Sequence, residues 1–303
     1  MEQQAFEKVD FEKYVSKEAA NKGAVYSDSI PDSKQFSLTG LKTAGFYHFD
    51  IKGTETDCLD RLHISALLAM MQEAAYKNAE TLGIGASYLD PQGICWLLSK
   101  ISVRMTKLPR WLDNITVSTW SRGPRRLLFL RDFTFYSGGL EPENVIGHAS
   151  SEWFLAGAGS HRPLRPEQVI EPSRIKNHQQ APAVFDFDCP RLKNLDTLEE
   201  SEPILVKYAD FSDIDRNNHV NNTRYAAWAV DAVQAYLSGQ TDDKSIIPMS
   251  ISGFDIQYIS EIFFGSKVDI FINKDDQGNF LAEGRLHDDG QVAFRCRVML
   301  DEI

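Results

Sequence analysis

The sequence predicts an α+β fold built from two tandem units, each a long helix wrapped by a mostly antiparallel sheet. Two observations support this prediction. The order of one strand, one helix and four strands occurs twice along the 303 residues, and both helices are unusually apolar for helices at a protein surface. A helix that packs against a curved sheet and a partner unit would show such a face. We therefore expect the two units to form one pseudo-symmetric body, in which internal duplication replaces a homodimer.

The first 44 residues differ from the rest of the chain, and we interpret them as an N-terminal extension. Apolar residues recur near helical spacing over residues 4–20, which predicts one amphipathic helix, and a polar linker follows it. The acidic residues of this segment argue against an organelle transit peptide. A basic region followed by an apolar one, the mark of a signal peptide, is also missing. These features favour a cytoplasmic location.

The first unit is expected at residues 45–161. A β-rich run at 46–51 precedes a helix at 66–82, where apolar residues repeat every three or four positions before Gly83. Four runs of β-branched and aromatic residues follow, at 94–105, 114–121, 127–137 and 145–156. Turn-forming residues separate these runs, so they predict four strands of a sheet on which the helix lies.

The second unit is expected at residues 191–303, after a linker at 162–190. The linker holds five prolines and shows no sustained periodicity, which is typical of an interdomain connection. A short strand at 204–209 then leads to a helix at 222–237. Four further strands are expected at 249–259, 266–273, 279–287 and 292–300. The second unit thus repeats the order of the first.

The composition disfavours several classes of function. Lys and Arg total 32 against 43 Asp and Glu, and the net charge of −11 disfavours a nucleic-acid partner. The longest apolar runs fall short of the roughly 20 residues that cross a bilayer, so no membrane span is expected. The four cysteines lack the spacing of a zinc site or a disulfide framework, and we expect no metal and no other cofactor. Six histidines are expected to be isolated surface or structural residues: His48, His63, His148, His161, His178 and His287.

The two units differ most in the loop before each helix. The first loop, at 57–63, interleaves charged and apolar residues, whereas the second, at 213–222, concentrates polar side chains. Asp215, Asn217 and His219 alternate there, so in an extended segment they would project from one side. A carboxylate, an amide and an imidazole on one side can orient a water and a carbonyl together. The residues alone leave a structural role open, because Asp and Asn are also common in turns and helix caps.

The run DRNNHVNNTRY at 215–225 resembles the active-site signature of the acyl-acyl-carrier-protein thioesterases, the double hot-dog family of plant plastids and bacteria. The likeness extends from about residue 45 to the carboxyl end. It recurs at 71–75, 96–99, 119–120, 131–133, 151–153 and 162–163. The resemblance implies two tandem hot-dog units and a hydrolase that cleaves a fatty acyl chain from the phosphopantetheine arm of acyl carrier protein.

The resemblance also implies the catalytic residues. The family's Asp, Asn and His map onto Asp215, Asn217 and His219, and its Glu after the following strand maps onto Glu261. The next position is often a cysteine in the family but is Ile262 here, and an alkyl side chain cannot attack a thioester. The hypothesis is therefore direct hydrolysis, in which Glu261 and His219 activate a water without a metal. Attack by Asp215 to form an anhydride stays an alternative.

The resemblance further implies an acidic carrier protein as partner, which a chain of net charge −11 must bind through a local basic surface. The candidates are Arg122, Arg125 and Arg126 in the hairpin near Pro124, and Lys107 with Arg110 beside Pro109. The acyl chain is expected along the first helix, against Leu67, Met70 and Met71. An acyl-coenzyme A thioesterase of hot-dog fold and a non-catalytic acyl-binding module stay open as alternatives. The oligomeric state is also open, a homodimer included.

Overall fold

One antiparallel sheet of eleven strands organises the protein. The computed structural model describes residues 41–176, 178, 181–195, 202–239 and 246–301, and the helix expected at 4–20 lies outside them. The strands are β1 Ala44–Asp50, β2 Ile94–Met105, β3 Asn114–Arg125, β4 Leu128–Ser137, β5 Val145–Gly157, β6 Pro163–Leu164, β7 Leu205–Tyr208, β8 Ile251–Tyr258, β9 Lys267–Lys274, β10 Phe280–Leu286 and β11 Val292–Leu300. The α-helices are α1 Ile64–Thr81, α2 Ala86–Leu89, α3 Pro166–Val169, α4 Pro172–Ile175 and α5 Asn222–Ser238.

The strand order shows that each unit contributes one half of the sheet. It runs β1-β3-β4-β5-β2-β8-β11-β10-β9-β7, and β6 pairs with β5. The halves join where β2 pairs with β8, in a register from Lys100 opposite Gln257 to Arg104 opposite Gly253. The predicted α+β architecture of two tandem units, each one long helix and an antiparallel sheet, is confirmed.

The two long helices, α1 and α5, pack on one face of this sheet and against each other. Leu67 and Ala74 of α1 and Ala229 and Val233 of α5 are fully buried in the shared core. Helix α1 begins two residues before the predicted start, and Gly83 follows it at φ +69°. Helix α5 begins at the predicted residue because the side chain of Asn221 accepts a hydrogen bond from the Thr223 N–H. Among the described residues, we find no helix that is long and apolar enough to span a membrane.

The other face of the sheet carries a buried polar network. Asp255 on β8 pairs with Arg104 on β2 at 2.8 Å and with Arg297 on β11 at 2.6 Å. All three residues are at most 6 % exposed. Buried charges of this kind need complementary partners, and a guanidinium on each side meets that need.

Part of the predicted linker, with the residues just after it, covers this polar face. Trp120 of β3 donates to the Pro182 carbonyl at 2.8 Å and packs against Val184 and Phe185. Asp132 of β4 accepts from the Val184 N–H. The segment 181–195 therefore closes the outer side of the sheet in addition to connecting the two units.

Candidate active site

The loop before α5 is a tight turn stabilised by its own side chains. The Asp215 N–H donates to the His219 carbonyl at 2.8 Å, and Asp215 Oδ1 accepts from the Asn217 N–H at 2.7 Å. Asn218 has φ +63°, a left-handed conformation that Asn tolerates better than most residues. The Val220 N–H donates to the Ile262 carbonyl, which ties the loop to the segment after β8. His219 is thereby held beside Glu261.

Glu261 lies between two imidazoles. Its Oε2 is 2.9 Å from Nδ1 of His161, and its Oε1 is 3.6 Å from Nδ1 of His219. The two rings meet edge to face, with centroids 4.9 Å apart. Oε1 is buried and has no hydrogen-bond partner within the described residues. A buried carboxylate oxygen without a donor is costly, so this atom is poised to accept a hydrogen bond from a bound molecule.

The expectation that His161 is an isolated surface or structural residue is wrong. His161 follows β5 at the end of the first unit, where its N–H donates to the Gly157 carbonyl and its φ is +48°. This turn carries its side chain across to Glu261 of the second unit. The sequence held little signal for the contact, because nothing in the local pattern links residue 161 to the loop before α5.

The surroundings set different proton affinities for the two histidines. Burial lowers the pKa of His219, which favours its neutral form. The hydrogen bond to Glu261 raises the pKa of His161, which favours its charged form. Burial and the negative charge of Glu261 raise the pKa of the nearby Cys95 thiol to about 11. Cys95 is therefore a protonated thiol at neutral pH and a poor nucleophile.

The cluster lines one cavity, and a second cavity adjoins the first. The first, of about 620 Å³, is lined by Asp215, Asn217, His219, Tyr225, Tyr258 and Glu261 of the second unit and by Gln72, Tyr76, Trp96 and Trp153 of the first, among others. The second, of about 370 Å³, lies within the first unit, and its wall includes Ala75, Ala79, Ile84, Phe129 and Arg131. Tyr76, Trp96 and Trp153 border both cavities. A mostly apolar cavity thus leads away from a cluster of polar side chains.

The cavity wall does not include the helix residues expected to bind an acyl chain. Leu67, Met70 and Met71 are at most 5 % exposed and pack in the core, and they border neither of these two cavities. Helix α1 instead presents Ala75 and Ala79, which lie one to three turns farther along. Helical periodicity identified the buried residues of α1, but it could not separate those that contact the sheet from those that face a cavity.

Arg125 of the proposed basic surface is already engaged by acidic groups of the chain. The Arg125 guanidinium is 2.6 Å from Asp188 and 3.6 Å from Glu152. Arg126 occupies the β3–β4 turn with φ +60°. Both residues lie in the first unit, and neither lines the two cavities. Their role in binding a carrier protein stays a prediction.

Models of known protein families match most of the chain. Two family models match it, the acyl-ACP thioesterase N-terminal domain over residues 46–171 and the acyl-ACP thioesterase C-terminal domain over residues 197–293. The chain belongs to the acyl-ACP thioesterase family. Both halves of this acyl-ACP thioesterase family member are thus recognised separately, in agreement with the duplication seen in its sheet.

Individual relatives are distant. An acyl-[acyl-carrier-protein] hydrolase of Cuphea viscosissima is 23 % identical over 198 residues, which cover 61 % of this chain and 46 % of that protein. The oleoyl-acyl carrier protein thioesterase 1 of Arabidopsis thaliana is 20 % identical over 228 residues, covering 71 % of this chain and 62 % of that protein. The chain spans about half the length of several of the curated relatives it matches.

Solved structures confirm the fold. An acyl-ACP thioesterase from Bacteroides thetaiotaomicron superposes with a TM-score of 0.71 at 23 % identity, covering 86 % of this chain and 98 % of that one. The 12:0-ACP thioesterase from Umbellularia californica superposes with a TM-score of 0.69 at 18 % identity, covering 86 % and 97 %. The expected tandem hot-dog fold is therefore that of this chain.

Proposed function

We propose that this chain hydrolyses the thioester of fatty acyl-acyl carrier protein to free fatty acid and carrier protein. The observation that carries the proposal is the meeting of Glu261, His219 and Asn217 in one cavity that continues into a mostly apolar one. A thioester placed at the polar cluster would direct its acyl chain past Trp96 and Trp153 towards Ala79. Family membership supports this substrate class, because the matching relatives are named for acyl carrier protein substrates.

In the proposed reaction, a water donates a hydrogen bond to the unpartnered Oε1 of Glu261. Glu261 or neutral His219 takes a proton from this water as its oxygen attacks the carbonyl carbon. The tetrahedral intermediate then collapses, the carbon–sulfur bond breaks, and the proton passes to the departing thiolate. Asn217 orients the water or the thioester. Asp215 acts through the loop, where its carboxylate holds the Asn217 N–H.

The start of α5 supplies a candidate site for the oxyanion. Asn222 and Tyr225 lie in the first turns of this helix and border the polar cavity. Although Asn221 already caps the Thr223 N–H, the partial positive charge at a helix N-terminus favours negative charge, so it would stabilise the intermediate more than the thioester. Because a thiolate is already a fair leaving group, the scheme demands no metal.

The test is release of free thiol from acyl carrier protein and coenzyme A thioesters over a range of chain lengths. We expect turnover that favours carrier-protein substrates in the wild type and collapses in His219→Ala and Glu261→Ala. His63→Ala, which alters an exposed histidine at the start of α1, is the control and should keep full activity. Preference for coenzyme A thioesters would instead support the acyl-coenzyme A alternative, and tight acyl binding without turnover would support a binding module.

Isotope labelling separates direct attack from the anhydride alternative. A single turnover in oxygen-18 water places the label in the released fatty acid if water attacks the thioester directly. If Asp215 attacks first, water can open the anhydride at the enzyme's carbonyl and leave the label in Asp215. Label recovered in the peptide that contains Asp215 would therefore contradict the proposed direct route.

A further inference from the structure

We propose that His161, His219 and Glu261 form a binding site for one divalent transition-metal ion, for which Zn²⁺ is the best match, and that the bound ion inhibits hydrolysis. The binding site follows from geometry alone. Only the inhibition rests on the proposed function. The sequence predicted neither, because no histidine or carboxylate lies near His161 along the chain at metal-ligand spacing.

The spacing of the donor atoms fits a small tetrahedral ion. One ligand atom from each of the three residues lies within 4.8 Å of the other two. Ligands at about 2.0–2.1 Å from a tetrahedral Zn²⁺ lie roughly 3.3–3.4 Å apart. Oε2 of Glu261 is 2.9 Å from Nδ1 of His161, and Oε1 is 3.6 Å from Nδ1 of His219, so each carboxylate oxygen lies within about 0.5 Å of this separation from one imidazole. Small side-chain rotations bring all three donors to the ion.

A second, independent observation is the unpartnered Oε1 of Glu261. This buried oxygen accepts no hydrogen bond from the described residues and faces Nδ1 of His219. A cation between these atoms would satisfy the carboxylate oxygen and the lone pair of the neutral imidazole together.

The donor set selects the class of ion. Two imidazoles and one carboxylate are the ligands of several zinc enzymes, in which a fourth position stays open to water. Mg²⁺ and Ca²⁺ prefer sets made of oxygen and would bind weakly here. The three side chains are 10–19 % exposed, and His219 and Glu261 line the polar cavity, so an ion can enter and exchange.

Inhibition follows from which atoms the ion would occupy. A bound ion takes Oε1 of Glu261, the atom that accepts the hydrogen bond of the water in the proposed reaction. It also takes the His219 nitrogen that would accept the proton. The ion and the proton of the attacking water therefore compete for the same lone pairs of Glu261 and His219. Hydrolysis should fall as the site fills.

The binding test uses the full chain after treatment with a chelator. Co²⁺ replaces Zn²⁺ as a visible probe, because its absorption reports low-coordinate nitrogen and oxygen ligation, and calorimetry with Zn²⁺ gives the stoichiometry. We expect one ion per chain. His161→Ala, His219→Ala and Glu261→Gln should each weaken binding by at least about tenfold, whereas His63→Ala should bind like the wild type. Circular dichroism confirms that each variant is folded.

Two results would overturn the site: no saturable Co²⁺ or Zn²⁺ binding, or binding that survives in all three ligand variants. The inhibition is tested separately by thiol release with and without Zn²⁺. We expect activity to fall with Zn²⁺ and to return with chelator. Unchanged turnover at full occupancy would contradict the inhibition. A chain that binds the ion but hydrolyses no thioester when metal-free would refute the proposed function and leave the binding site intact.

Discussion

The loops that precede α1 and α5 have the same backbone and different chemistry. In the first unit, the Asp57 N–H donates to the Arg61 carbonyl at 2.8 Å. In the second, the Asp215 N–H donates to the His219 carbonyl at the same distance. Arg61 therefore occupies the position of His219. The correspondence continues to the helix starts, where His63 takes the place of Asn221 as the residue before the first helical turn.

The turn conformation is also shared. Asp60 has φ +61° and Asn218 has φ +63°. In each turn the leading Asp carboxylate accepts the N–H two residues later, from Leu59 in the first unit and from Asn217 in the second. This backbone hydrogen bonding depends only on the Asp and on a residue that tolerates a left-handed φ. The duplicated turn is therefore a structural element in both units.

The side chains around the turn separate the two units. Arg61 bends back and pairs with the Asp57 carboxylate at 2.8 Å, whereas His219 faces Glu261. The Leu62 N–H donates to the Pro109 carbonyl just as the Val220 N–H donates to that of Ile262. Leu108, the residue before Pro109, therefore stands where Glu261 stands in the second unit. A few side chains therefore distinguish a stabilising turn from a candidate active site on one backbone.

We expect the largest effect at Glu261, which follows β8 and corresponds to Leu108 of the first unit. Glu261→Gln removes the carboxylate base while keeping the size of the side chain, and we expect turnover to fall by about 10²–10⁴-fold. The matched change in the first unit, Leu108→Ala, should lower stability and leave the specific activity of folded protein near wild type. Thiol release and thermal unfolding measure the two effects. Equal losses of activity in both variants would contradict the conclusion that only the second unit carries the active site.

The second prediction concerns the leading Asp of each turn. Asp215→Asn keeps an oxygen that accepts the Asn217 N–H but removes the charge, and we expect hydrolysis to fall by about tenfold or more. Asp57→Asn loses the partly exposed ion pair with Arg61, which should cost about 0.2–1 kcal/mol of unfolding free energy. The rate of the Asp57 variant should not change. If Asp215→Asn also left the rate unchanged, both turns would be purely structural.

The third prediction tests which residues of α1 face the acyl chain. Ala79→Leu fills the apolar cavity of the first unit, so we expect the ratio of long-chain to short-chain turnover to fall by about tenfold. Met70→Leu, a change of similar volume in the adjacent core, should leave this ratio unchanged. Chain-length profiles of the two variants provide the measurement. If only the Met70 variant changed this ratio, the result would support the prediction that Leu67, Met70 and Met71 face the acyl chain.

The smallest expected effect is a dependence of stability on pH that arises from two buried histidines, one in the first unit and one in the linker. Burial lowers the pKa of His148 and of His178 to about 4, from an ordinary value of 6.5. The unfolded chain then binds more protons than the folded one between these values, so stability falls as pH decreases from about 6.5 to 4. Thermal unfolding at several pH values should show a decrease in Tm. His148→Gln should reduce it, and an identical decrease in this variant would contradict the assignment.

Local patterns in the sequence determined the elements and their duplication. The 3.6-residue repeat located α1 to within two residues and the start of α5 without error. A helix with one buried face carries an apolar residue every three or four positions, and the sequence shows this repeat. Alternating β-branched and aromatic runs located the strands. The concentration of polar residues at 213–222 marked the loop that lines the polar cavity. Each of these signals is local along the chain, so the sequence displays it directly.

The tertiary structure alone decided which distant side chains meet. His161 reaches Glu261 because the end of β5 and the end of β8 converge where the two units join. The apolar cavity of the first unit borders Ala79 and not Met70 because sheet packing uses one side of the helix and leaves another free. The segment 181–195 covers paired charges that lie on three different strands. Contacts of this kind depend on the relative placement of elements far apart in the chain, and no repeat along the sequence records them.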